Sequence, residues 1–389
     1  MLKRIVVGGI VFSVVLVTGL CQAQEAKRNP FQQIFAPFAR PPQAARPSKD
    51  QDARIEQLRA HLRKQMRDAA QALQMLETLR HERQNEKVER AAEQPTRKGE
   101  EGFRALYTIA RDGTKAEYLT SAPGMISSSS PAYSHDGTMV AFDATADVGA
   151  LGDCRLFVVA LEGPFKGMFK DFGCGNVPTW SPDDSRIAYM LNPGNPADVE
   201  WGIWIMNADG SQRKRLCDGW YPRFSPDGKL LHVYAPTSSA IHVIEPGGTK
   251  ERKIVGETIS AKYGGGTWSP DGNRIVFVGT RDGKEHLATV AVDDDAEKSV
   301  RILYTEKDND RVLVGPPAWS PDGKKIVLAI HDRTESKRSG GRWHNTYLYT
   351  ISAEVPDKPS LLQPAKTGVI NRSPMWSPDG KTIIFSSER

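Results

Sequence analysis

The chain has 389 residues, 39% apolar and 25% charged, a composition that folds around a sizeable core and excludes a wholly disordered or multi-span membrane protein. Its 34 glycines and 26 prolines point to many short elements joined by turns rather than to long helices. The formal charge of +5 resides in the first 102 residues, while 103–389 is slightly negative; no basic folded surface suited to nucleic acid is expected.

In chain order, Lys3 and Arg4 precede an apolar run from Ile5 to Leu20 that ends at Cys21-Gln22-Ala23. This is the layout of a secretory signal peptide over 1–23, and it predicts a periplasmic or secreted protein with no membrane span after cleavage. Residues 24–47, punctuated by Pro30, Pro37, Pro41, Pro42 and Pro47, read as a disordered tether. Ser48 with Gln51 offers a capping box, and 48–93 is predicted as a long amphipathic helix. Its apolar stripe, Ile55, Leu58, Leu62, Met66, Ala69, Leu73, Leu76 and Leu79, suits self-association or a coiled coil. Residues 94–102 form a second linker.

Export permits disulfides. Cys154 opens one apolar run and Cys174 closes the next, with Glu162-Gly163-Pro164 between them. In a hairpin the two would face each other, which predicts a Cys154–Cys174 bridge and a free Cys217, the alternative being buried free thiols.

From residue 103 onward one turn recurs six times: Tyr133-Ser134-His135-Asp136-Gly137, Trp180-Ser181-Pro182-Asp183-Asp184, Phe224-Ser225-Pro226-Asp227-Gly228, Trp268-Ser269-Pro270-Asp271-Gly272, Trp319-Ser320-Pro321-Asp322-Gly323 and Trp376-Ser377-Pro378-Asp379-Gly380. Ser, Pro and Gly occupy the first, second and fourth positions that a type I turn prefers. An aromatic precedes each turn and an apolar strand such as Ile275-Val276-Phe277 follows it, so the repeated residues are committed to architecture. The spacing of 44 to 57 residues fits one four-stranded propeller blade per copy. The sixth copy lacks a second hairpin, whereas a spare one, Ala105 to Ile109 with Tyr118-Leu119, stands ahead of the first. The fold class is therefore all-β, a six-bladed propeller over 103–389 closed by joining its two ends.

These Trp-Ser-Pro-Asp-Gly blades resemble the WD40-like (PD40) repeats of the TolB family. The resemblance implies an envelope propeller that binds a protein or peptide partner. Similar blades also occur in propellers that shield peptidases and in metal-dependent carbohydrate lyases.

No Gly-x-Ser-x-Gly, His-Glu-x-x-His, phosphate-binding glycine loop or EF-hand loop occurs, so no catalytic residue, cofactor or metal is assigned. Asp293-Asp294-Asp295 reads as a solvated turn. The alternative reading is a metal-assisted carbohydrate-active enzyme whose funnel uses some of His232, His242, His286, His331 and His344. The favoured one rests on the irregular connections at 120–131, 174–179, 217–223, 256–267, 305–318 and 363–375, which should share one face. They bring Trp220, Tyr221, Arg223, Tyr263, Arg311, Asn371 and Arg372 toward the channel mouth, a mixture rich in hot-spot residue types. Tyr221 and Arg223 have no evident task within the repeat, so they are expected to serve a partner.

Overall fold

The computed structural model describes residues 103–146, 154–192, 200–293, 295–307, 310–333, 345–362 and 369–388, all within the unit formed by 78–389. The leader, tether, helix and second linker expected over 1–102 lie outside the described residues, as do Asp294 and His344.

By antiparallel pairing the strands fall into six sets of four, three of which single parallel bridges link into one twelve-stranded sheet. Their central members are buried on both faces: Ile275 to Val278 of Arg274–Arg281 and Ile326 to Ile330 of Lys325–Asp332 are almost wholly removed from solvent. A strand buried on both sides reads as a continuous apolar run rather than an alternating one. Here each set stacks its faces against two neighbours, which makes it a blade of a β-propeller. Five blades are contiguous in sequence: blade 1 over 127–174, blade 2 over 176–217, blade 3 over 220–255, blade 4 over 260–305 and blade 5 over 311–361.

The remaining blade joins the two ends of the described chain. Ile370–Trp376 and Thr382–Glu388 supply its inner strands, and Arg104–Ala110 and Glu117–Thr120 its outer ones. Arg104–Ala110 pairs with Thr382–Glu388 at seven consecutive positions, from Arg104 opposite Glu388 to Ala110 opposite Thr382. The Tyr107 and Phe385 rings stack at 6.1 Å along this seam. Arg104 bonds the Glu388 carboxylate at 3.2 Å at its end.

Each motif turn is built alike. The fourth residue donates its N–H to the serine carbonyl, Gly272 to Ser269 at 2.9 Å for example. The serine hydroxyl meets the aspartate carboxylate at 2.5–2.7 Å in all six copies. That carboxylate also accepts the N–H two residues on. These bonds hold all six aspartates below the usual carboxylate range, Asp183 and Asp379 at about 2; the serine hydroxyl is the larger cause except at Asp379, where the Lys381 N–H leads. A depressed folded-state pKa adds stability above the unfolded value of about 3.9 that is lost as pH falls through the folded one. The urea midpoint should therefore drop between about pH 4 and about pH 2, and a flat profile over that window would contradict this role.

The turns also meet one another around the ring. Gly228 lies over Pro182, Gly272 over Pro226, Gly323 over Pro270, Gly380 over Pro321 and Gly137 over Pro378, each with 3.3–3.9 Å between an added Cβ and the proline ring. The sixth junction is the one where both partners depart from the repeat. His135, unlike proline, has an N–H, and Asp184 of the next blade accepts it at 2.7 Å and that of Asp136 at 3.0 Å. The two departures are one compensated pair. Asp184→Ala is expected to cost about 1 kcal/mol, the scale of a lost cap, whereas His135→Pro with Asp184→Gly should recover most of it, as read by chemical denaturation of both variants.

The thiol prediction is corrected. Cys154, Cys174 and Cys217 form no disulfide among the described residues, because Arg155 rather than Cys154 stands opposite Cys174. Residues directly opposite share a face, and adjacent ones do not. Burial pushes the Cys217 thiol up to about 12, so it is inert toward oxidation near neutral pH.

Candidate functional site

The innermost strand of each blade carries the same local device. A residue in the left-handed region precedes a proline in four blades: Ser130 (φ 47°), Val177 (49°), Tyr221 (55°) and Ser373 (49°). Gly265 (80°), before Gly266, takes the place in blade 4, and Gly315 (73°), ahead of Pro316-Pro317, takes it in blade 5. The strand register slips at this point in five blades, as a bulge requires. A β-branched residue such as Val177 adopts this conformation at a cost of about 1–3 kcal/mol. The bulge turns the strand so that one residue per blade, Ala132, Thr179, Arg223, Thr267, Ala318 or Met375, faces the axis just ahead of the motif aromatic.

The axial channel has three parts. A funnel of about 420 Å³ opens on the face of the motif turns, and its wall includes all six motif aromatics. A waist of about 10 Å³, room for one water, is collared by Pro131, Pro317, Pro374 and Arg223. Beyond it a chamber of about 550 Å³ opens on the other face, with wall residues from all six blades.

Four of the seven predicted partner residues, Trp220, Tyr221, Tyr263 and Arg372, line this chamber together. Tyr221 lies flat on blade 4, where a Cβ on Gly264 would come within 2.0 Å of its ring. Arg372 is partly buried and makes no side-chain hydrogen bond or ion pair among the described residues. Burial and the nearby Arg104 charge lower its pKa. The other three residues are elsewhere. Arg311 covers the Tyr349 ring at 5.6 Å and bonds its hydroxyl at 3.2 Å. Asn371 is fully buried and accepts the Ser387 hydroxyl at 2.8 Å.

Arg223 is 7% exposed and lies in the waist. Its guanidinium donates to the carbonyls of Pro178 at 3.3 Å and Pro222 at 2.9 Å, so it ties blade 2 to blade 3. Its own carbonyl accepts the Trp268 indole at 3.0 Å, a link to blade 4. The expectation that Tyr221 and Arg223 have no task within the repeat is thus overturned, since both join neighbouring blades.

Sequence reasoning missed Asp143, Arg104, Asn176 and Asn192, which also line the chamber. Asp143 accepts the Val177 N–H at 3.2 Å. Burial pushes its pKa up, against the lowering influence of Ser130, that N–H and Arg104. A signal was available for it: Asp143 interrupts the apolar strand Val140-Ala141-Phe142, and a carboxylate in such a run needs a local reason. Arg104 is paired to Glu388, which leaves Arg372 as the chamber cation without an ion pair among the described residues.

None of the histidines of the alternative reading that are described lines the chamber. His286 meets Thr305 Oγ1 at 2.9 Å and His331 meets Thr346 Oγ1 at 3.2 Å, both buried within blades. His242 pairs with Glu251 at 2.7 Å. His232 is buried beside Trp268, and burial, with Arg223 adding, pushes its pKa down to about 3. No trio of His, Cys, Asp or Glu converges among the described residues.

An annular stack of four-stranded blades around a plugged axis defines a β-propeller, and comparison with known proteins narrows its kind. No family model matches the chain. The fold is TolB-like: it is similar to the putative TolB of Agrobacterium tumefaciens, with TM-score 0.55 and 19% identity over 73% of this chain and 97% of that one. It is also similar to TolB of Acinetobacter baumannii, with TM-score 0.52 and 19% identity over 72% of this chain and 67% of that one. In sequence it is similar to the uncharacterized peptidase YuxL of Bacillus subtilis (strain 168), 25% identical over 224 residues, which is 54% of this chain and 29% of that protein. The chain thus matches under a third of this relative's length.

Proposed function

We propose that the chain is an exported, non-enzymatic six-bladed propeller, an envelope scaffold that holds a segment of a protein or peptide partner in the chamber. The leader at 1–23 would direct it to the periplasm or outside the cell, and the tether and helix at 24–93 would supply a second contact. The observation that carries the reading is the chamber itself. An arginine with no side-chain hydrogen bond or ion pair among the described residues, Arg372, stands among Trp220, Tyr221 and Tyr263 in a cavity of about 550 Å³, and aromatic and arginine anchors in a desolvated pocket are where binding energy concentrates. The likeness to TolB supports the architecture on which this rests.

The metal-assisted alternative would need ligands that converge on the channel, and of the described histidines only His135 reaches its wall, at the funnel rim. Arg372 offers a clean test because its side chain holds no described residue through a hydrogen bond or an ion pair. Arg372→Ala should weaken capture of an envelope partner by about 2 kcal/mol, the usual hot-spot scale, and leave the melting transition unchanged. Capture by the variant at wild-type strength would reject the chamber as the site.

A further inference from the structure

The funnel on the motif face is a second cavity, and the partner-binding reading does not use it. Its wall holds Trp180, Phe224, Trp268 and Trp376 beside the more open Tyr133 and Trp319. Among the described residues, Tyr133 aside, two chargeable groups line it, His135 at the rim and Arg223 at the floor, and no carboxylate among them lines the funnel or the waist. The six motif aspartates share this face, but each is folded back on the serine of its own turn. Asp184 is likewise occupied by the N–H groups of His135 and Asp136.

Arg223 is the unusual member of this set. The corresponding residues of the other blades are Ala132, Thr179, Thr267, Ala318 and Met375. The residue is 7% exposed, its guanidinium forms no ion pair among the described residues, Asp143 acting on it only at longer range, and its Nε has no hydrogen-bond acceptor among them. Two backbone carbonyls satisfy part of it without neutralising it. A buried cation with no carboxylate in contact is costly, and an anion that reaches it gains a charge-assisted hydrogen bond in a low-dielectric site. The Thr267 hydroxyl, whose oxygen accepts the Trp319 N–H at 2.8 Å, retains its own proton to donate at the same level of the wall.

We infer that the funnel is a binding site for a carboxylate carried on an apolar body, with Arg223 taking the carboxylate at the floor and the aromatic wall taking the body. A free organic acid and the C-terminus of a chain with an apolar last residue present this chemistry equally. The site is on the opposite face from the chamber and does not depend on what the chamber holds.

The test titrates the full chain with 3-phenylpropionate and with its neutral isostere 3-phenylpropanamide, read by calorimetry and by the fluorescence of the funnel tryptophans. The acid should bind at least about tenfold more tightly than the amide, the worth of one charge-assisted hydrogen bond. The same pair of measurements with N-acetyl-glycyl-phenylalanine and its amide distinguishes the sources. Tighter binding of the peptide acid identifies a chain terminus, and tighter binding of the small acid identifies a metabolite-sized ligand. Arg223→Met should erase the preference for acid over amide. Should that variant fail to fold, Met375→Glu, which sets a negative charge in the waist with Arg223, should abolish acid binding while the amide still binds. Equal affinity for acid and amide, no binding of either acid at about 10 mM, or a preference that survives in a folded Arg223→Met protein would overturn the inference.

Discussion

Removal of residues 103–120 should unfold the propeller as a whole. The deletion strips Arg104–Ala110 from Thr382–Glu388 and exposes an entire strand edge together with the faces of Ile383 and Phe385, which are wholly buried in the intact protein. It also takes away Ala105, Leu106 and Ile109, none of which has measurable exposure. An open blade in a ring leaves two neighbours uncovered, so the loss should approach the total stability of a domain, about 5–15 kcal/mol. The milder Ile109→Ala should cost about 2–5 kcal/mol, the range for a large-to-small change in a packed core. Thermal melts followed by circular dichroism check both, and a deletion variant that melts cooperatively at the wild-type temperature would show that the seam is dispensable.

The second large effect concerns a position where the repeat itself misleads. Five inner strands place proline two residues ahead of the motif aromatic, at Pro131, Pro178, Pro222, Pro317 and Pro374, and the fourth has Gly266. By the repeat alone, Gly266→Pro restores the pattern and should stabilise by stiffening the unfolded chain. The structure reverses this. A Cβ on Gly266 would sit 2.2 Å from the Val276 carbonyl oxygen and 2.8 Å from that of Pro317, backbone atoms that cannot step aside. Gly266→Ala and Gly266→Pro should each cost about 3 kcal/mol. Urea denaturation decides the sign, and a stabilised proline variant would mean that blade 4 can widen to the spacing of the others.

That contrast shows what was legible in the chain. The blades were readable because a turn with fixed chemistry at four positions repeats six times, and turn chemistry is local: Ser, Pro, Asp and Gly act within five residues of one another. Ring closure was readable because an unmatched hairpin at one end has an unmatched half-blade at the other. The site was only half readable. Trp220, Tyr221, Tyr263 and Arg372 could be placed at the mouth by their position ahead of the motifs. Arg311 and Asn371 could not be excluded, because which side of a strand faces the axis depends on a bulge that shifts the register by one residue. The same one-residue slip separates Cys154 from Cys174. Asp143 and Arg104 escaped notice because they belong to strands whose other residues are ordinary core. The two departures at His135 and Asp184 looked like drift in separate copies, since nothing in a linear reading brings residues 49 positions apart into one junction.

The seam has a mechanical consequence. Arg104 and Glu388, its outermost pair, are the points at which the described chain enters and leaves the ring, and they stand directly opposite each other. A pull on these two points loads the seven pairs of the seam one after another from that end, as a zipper opens, instead of all at once as when two strands are slid past each other. Tension between the N-terminal segment and the end of the last strand would therefore peel the closing blade at low force. Tension applied across the ring, from blade 2 to blade 5, would meet whole sheets and their packed faces together. Pulled between these two points, the propeller would open at one known place.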